Sequence, residues 1–197
     1  MTVTADDLDA ALTTVADALG PAVGADWTVP AGLLDWDCRH TADHLGDTLL
    51  SYAAQLVARP ADRYVRFMAA AERDATAAEL LEFAATAGRI LALVVRATSA
   101  HARAFHPSGT ADPEGFVAMG CAELLLHGDD IARGLGMALD PPRPLCARVV
   151  ARLFPDVAAG LADVDPWVAL HWCTGRAELP DRARRGRWQW RGAPIGG

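Results

Sequence analysis

"GFVAMGCAELLLHGDDIARGLG", Gly115 to Gly136, decides how the chain is read. Residues three or four apart share one face of a helix, so Phe116, Gly120, Glu123, His127, Asp130 and Gly134 line up together. Leu124, Leu125 and Ile131 make a second, apolar stripe for packing. The helix has a clear start just upstream, with Asp112 as cap and Pro113 at the first helical position, and a stop at Leu135-Gly136. A polar stripe therefore runs beside an apolar one on a long helix.

The rest of the chain repeats the helical period, and no run alternates as a strand would. A first helix opens at Thr4 and carries Leu8, Leu12, Val15 and Leu19 before Gly20-Pro21 stops it. A second starts after Asp37, runs to about Arg59-Pro60, and buries Leu45, Leu49, Tyr52 and Leu56. A third is expected from Thr76 to about Ala104 on a broad face of Leu80, Phe83, Ala87, Ile90, Leu91, Val94 and Val95. With the Asp112 helix these make an all-α four-helix bundle. A shorter fifth helix is expected over Leu145 to Leu153, followed by an irregular Trp-rich C-terminal tail. Residues 1–140 are expected to form the bundle, with 141–197 packing on it rather than forming an independent domain.

Composition narrows the function classes. The 197 residues carry a formal net charge of −7, and all 18 basic residues are Arg. An acidic chain argues against a nucleic-acid partner, whose phosphates need a basic face. The N-terminal "MTVTADDLDAAL" lacks the basic-then-apolar layout of a signal peptide, and no apolar stretch approaches membrane-spanning length. The expectation is a cytoplasmic protein with no membrane partner, acting on a small molecule as a monomer or homodimer. Four scattered cysteines without a Cys-x-x-Cys pair read as reduced thiols.

Glu123 and His127 can bring a carboxylate oxygen and an imidazole nitrogen onto one cation. A third ligand must come from another helix, and His44 on the second helix offers it, beside Thr41, Thr48 and Ser51. Two nitrogens and one carboxylate match sites that keep a coordination position open for water or substrate. The same spacing also suits an exposed ion pair on a solvated face, and the residues alone leave both readings open. Asp130 is a candidate to hold the second nitrogen of a ligand from behind. His106, Thr48 and Arg133 are candidates for the edge of the pocket, and His40 for an alternative ligand. Arg39, Arg133 and Arg176 are candidates to clamp a carboxylate.

"WTVPAGLLDWDCRHTADHLGD", "HPSGTADPEGFVAMGCAELLLHGDDIARGLG" and "LHWCTGRAELPDR…WQW" together resemble the mycothiol-dependent maleylpyruvate isomerase metal-binding domain, in the wider DinB-like group of helical bundles. The resemblance covers most of the chain. It implies a divalent metal, typically zinc, on His44, Glu123 and His127, with a low-molecular-weight thiol such as mycothiol as cosubstrate. The full-length isomerases carry a further C-terminal domain, which is expected to be absent here or replaced by the Trp-rich tail. The expected function is a metal-dependent thiol transferase or isomerase. The alternatives are a metal-dependent hydrolase and a non-catalytic metal- or ligand-binding bundle.

Overall fold

The computed structural model describes residues 2–195, and among them there are helices and three isolated β-bridges but no sheet. Four long helices build the core: α1 (Ala5–Leu19), α2 (Cys38–Ala58), α3 (Ala77–Ala97) and α4 (Pro113–Gly134). Three shorter ones follow: α5 (Arg143–Leu153), α6 (Pro155–Ala158) and α7 (Pro166–Cys173). Among the described residues, no helix is long and apolar enough to cross a membrane.

The helix starts follow from local chemistry. Thr4 and Thr76 form capping boxes with Asp7 and Glu79, while Asp37 and Asp112 accept the amides of His40 and Gly115 at 2.7 Å. These side chains satisfy amides that have no partner inside the first turn.

α2 packs most extensively on α3, α1 lies along both α4 and α3, and α2 completes the group against α4. α5 covers another side of α4 and is itself covered by α7. The result for α4 is burial almost all round, from Pro113 to Ala132, with only Glu114 and His127 even half-exposed in that span. The two-stripe reading foresaw one covered face. The small residues Ala118, Cys121 and Ala122 let the remaining faces be covered as well, and all three are fully buried.

Two boundaries differ from expectation. α3 ends at Ala97, not near Ala104: Thr98 turns extended, and its hydroxyl donates to the Val94 carbonyl at 2.6 Å. The following segment instead pairs Ala104 with Ala111 and closes the loop ahead of α4. Ile90, assigned to the core face of α3, is 38% exposed. The tail is also less irregular than expected, because Asp165 caps α7 through the amides of Trp167 and Val168. Trp167, Leu170, Trp172 and Cys173 of α7 belong to the same hydrophobic cluster as Leu8 and Leu49.

The loop between α1 and α2 is drawn tightly onto the C-terminal turn of α4. Gly134 permits this: a Cβ there would collide with the Pro30 carbonyl and lie 2.8 Å from Cys38 Sγ. This close approach brings the Trp36 end of the loop over α2 and α4.

Candidate metal centre

His44, Glu123 and His127 converge where α2 crosses α4. Each offers one ligand atom, and these atoms all lie within 4.8 Å of one another. His127 Nε2 is 3.2 Å and His44 Nε2 3.9 Å from the same Glu123 oxygen, Oε2. The two imidazole rings are perpendicular, with centroids 5.3 Å apart. Tetrahedral zinc with ligand bonds near 2.1 Å needs donor atoms about 3.4 Å apart, so the cluster is spaced to coordinate a divalent ion with small side-chain adjustments.

Each group is held from behind. Tyr52, fully enclosed, donates its hydroxyl to Glu123 Oε1 at 3.1 Å, leaving Oε2 to face the histidines. His127 Nδ1 lies 3.2 Å from Asp130 Oδ2. Asp130 is in turn gripped by Arg176, through Nη2 at 2.7 Å and through Nε to both carboxylate oxygens at 3.2 and 3.3 Å. Thr48 Oγ1 sits 3.4 Å from Nδ1 and 3.3 Å from Nε2 of His44. Trp36 covers the cluster from outside, its ring 5.0 Å from His44 and 6.4 Å from His127.

The electrostatics follow from this packing. Burial pulls the His127 imidazole down, but hydrogen bonds to Asp130 and Glu123 outweigh it and raise the group to about 9. Burial pushes Glu123 up, and His127, His44 and Tyr52 together overcome that and keep the carboxyl below its ordinary range. Burial dominates at His44, which is lowered despite the attraction of Glu123. The cluster thus keeps one carboxylate ionised beside one imidazole that stays neutral near physiological pH.

The other candidates divide. Asp130 lies behind His127, and Thr48 lies beside His44 at the edge of the cavity there. His106 does not reach the pocket: it is buried behind Tyr52 and Phe116, and its Nδ1 accepts the Ser108 amide at 3.1 Å. Burial lowers it to about 4. Arg133 pairs with Asp129, Nε to Oδ2 2.6 Å, and lies outside the three-residue cluster. His40 stacks on Trp36 at 4.6 Å and is not in the cluster. Arg39 is not free to clamp a substrate at the centre, since it donates to the Ala75 carbonyl at 2.6 Å.

Two further contributors are not singled out by the sequence pattern. Tyr52 packs in the core on the Leu45–Leu49 stripe, as its spacing indicates. It also stands two turns after His44, and that second register was the available signal. Trp36 was a loop residue with no period to place it.

A cavity of about 360 Å³ lies near Asp130, and a second, of about 430 Å³, opens on His44 and Glu123 between Thr48, Tyr64, Phe67 and Met68. The second gives the metal candidates a mouth with an apolar rim. Phe67 is 43% and Met68 85% exposed there. All four cysteines are buried and burial raises them all, Cys38 and Cys173 to about 11 and Cys146 to about 12. None is a ready thiolate.

No protein-family model matches this chain, and neither a curated protein nor a solved structure matches it.

Proposed function

We propose that the protein is a zinc-dependent enzyme in which His44, Glu123 and His127 hold the metal and a small-molecule thiol serves as cosubstrate. The convergence of those three ligand atoms within 4.8 Å, from two helices far apart in sequence, carries the reading. A bound divalent ion there would favour the deprotonated form of a thiol or water near neutral pH.

The chain's own residues prepare for that chemistry. Tyr52 fixes which Glu123 oxygen is presented, and Asp130 with Arg176 fixes the His127 ring. Phe67, Met68 and Tyr64 offer an apolar berth for the body of a small molecule beside His44 and Glu123. A nucleophilic sulfur must arrive from outside, because the protein's own thiols are buried and raised. Thiol transfer or isomerisation of the mycothiol-dependent maleylpyruvate isomerase kind is the finer proposal, supported by the resemblance of the sequence.

Protein purified without a histidine tag is expected to carry near-stoichiometric zinc by elemental analysis. His44→Ala and His127→Ala are each expected to lose it. In a screen pairing low-molecular-weight thiols with electron-poor alkenes, turnover by the wild type is expected to vanish in both variants. Zinc content unaffected by either change would overturn the ligand set, and turnover that survives both would overturn the metal-dependent mechanism.

Tyr52→Phe tests the support behind Glu123. It is expected to cost about 1 kcal/mol of stability. Zinc affinity, read by competition with a chromophoric chelator, is expected to fall about tenfold to a hundredfold. Unchanged affinity would reduce Tyr52 to a packing residue.

A further inference from the structure

The cavity of about 360 Å³ lies between the α1–α2 loop, the last turns of α4 and the segment after α7. It shares no lining residue with the cavity that opens on His44 and Glu123. Its walls are polar on one side, with Asp130, Arg133, Arg176 and Arg184, and apolar on the other, with Leu33, Leu34 and Trp188.

Three guanidiniums in one cleft must be accounted for charge by charge. Arg133 is paired with Asp129 through Nε, and Arg176 with Asp130 through Nε and Nη2. Among the described residues, no carboxylate lies within ion-pair distance of Arg184, and its side chain makes no hydrogen bond. The cleft therefore keeps one net positive charge, and Arg176 Nη1 remains free for a further acceptor. The fold also holds an aromatic wall over this spot. Gly175, at φ +69°, lies under Trp188: a Cβ there would come within 3.3 Å of the indole ring and 2.6 Å of the Arg185 carbonyl. Only glycine accepts both that conformation and that closeness.

We propose that this cleft is a binding site for a small organic monocarboxylate, gripped by Arg184 and the free edge of Arg176, with its apolar body against Trp188, Leu33 and Leu34. A guanidinium fork matches the two oxygens of a carboxylate. One uncompensated charge suits a monoanion, whereas a phosphate dianion would also meet the Asp130 carboxylate on the same wall. The cleft meets the His44, Glu123 and His127 cluster only through the Asp130–His127 contact, and the grip of Arg184 and Arg176 on a carboxylate needs no metal there.

Benzoate is the probe. Titrated calorimetrically into the full chain after chelator treatment, it is expected to bind saturably to a single site. Arg184→Ala removes an exposed side chain that supports nothing else, and is expected to weaken binding about tenfold or more. Arg184→Lys is expected to recover part of the loss. In His44→Ala the benzoate affinity is expected to be unchanged, so a failure of the zinc reading would leave this result intact. Absence of saturable binding, or binding indifferent to Arg184→Ala, would overturn the site. Inorganic phosphate binding as tightly as benzoate would overturn the carboxylate assignment.

Discussion

Glu123→Gln is expected to lower zinc affinity on the order of a thousandfold while helical content stays unchanged. The substitution keeps the side-chain volume and an oxygen to accept the Tyr52 hydroxyl, now 3.1 Å from Oε1. What it removes is the one negative charge facing both imidazoles, 3.2 and 3.9 Å from their Nε2 atoms. Structural zinc sites with four protein ligands bind with roughly 10–16 kcal/mol, so an equal share per ligand is about 2.5–4 kcal/mol, and the one charged ligand takes the upper end, about 4 kcal/mol. That is about a thousandfold. His127 also loses one of the two carboxylates that raise it to about 9, so its proton becomes easier to remove, which offsets a small part of the loss. Competition against a chelator of known affinity, with circular dichroism on the same samples, reads both quantities. Zinc held as tightly by the variant would remove Glu123 from the ligand set.

The second large effect is on stability. Arg152→Ala is expected to cost about 3–5 kcal/mol, the penalty typical of breaking a buried ion pair from one side. Arg152 is 3% exposed and joins three parts of the chain. Its Nη2 donates to Asp112 Oδ1 at 2.7 Å and to the Gly192 carbonyl at 3.1 Å, and its Nη1 to the Arg191 carbonyl at 3.1 Å. Asp112 is the cap of α4, so the variant leaves a buried carboxylate holding the Gly115 amide with no cation beside it. Arg152→Met restores much of the lost packing but not the charge, and is expected to recover little. Combining it with Asp112→Ser keeps a capping oxygen without the stranded charge and is expected to recover most of the loss. Urea unfolding of the three variants orders them. A cost below about 1 kcal/mol for Arg152→Ala would show that the C-terminal segment is not tied to α4 through this residue.

Much of this architecture was written locally. Asp-Pro at 112–113, the capping Thr at 4 and 76, and Asp37 announce their helices because a cap acts within one turn. Asp165-Pro166 spells the same start as Asp112-Pro113, yet α7 went unread. Its segment "PWVALHWC" is buried on nearly every side, so no stripe marks it as a helix. The overextended end of α3 has the opposite cause: helix-compatible residues continue past Ala97, but Ala104 bridges to Ala111 across a short loop and the Phe105 amide donates to the Pro60 carbonyl, which takes them away.

At the site, Glu123 and His127 were legible as neighbours because helix geometry alone places them together. Their meeting with His44 depended on how α2 crosses α4, which no local pattern specifies. Arg176 was visible as a cation but not as the residue that holds Asp130, since that pairing spans two elements. Arg133 pairs with Asp129 one turn earlier on its own helix, and it lines the cleft beside Asp130 rather than the cavity that opens on His44.

The metal candidates also sit far apart along the chain, and that has a bearing on the order of folding. Tyr52 and the Glu123 it supports are 71 residues apart, with all of α3 in between. Closing such a loop costs entropy that two histidines and a carboxylate do not repay before the helices have docked. A metal bound here would therefore be a late arrival, fastening a finished bundle instead of seeding one. Its contribution should fall mainly on the rate of unfolding, leaving the rate of folding nearly as it is without the ion.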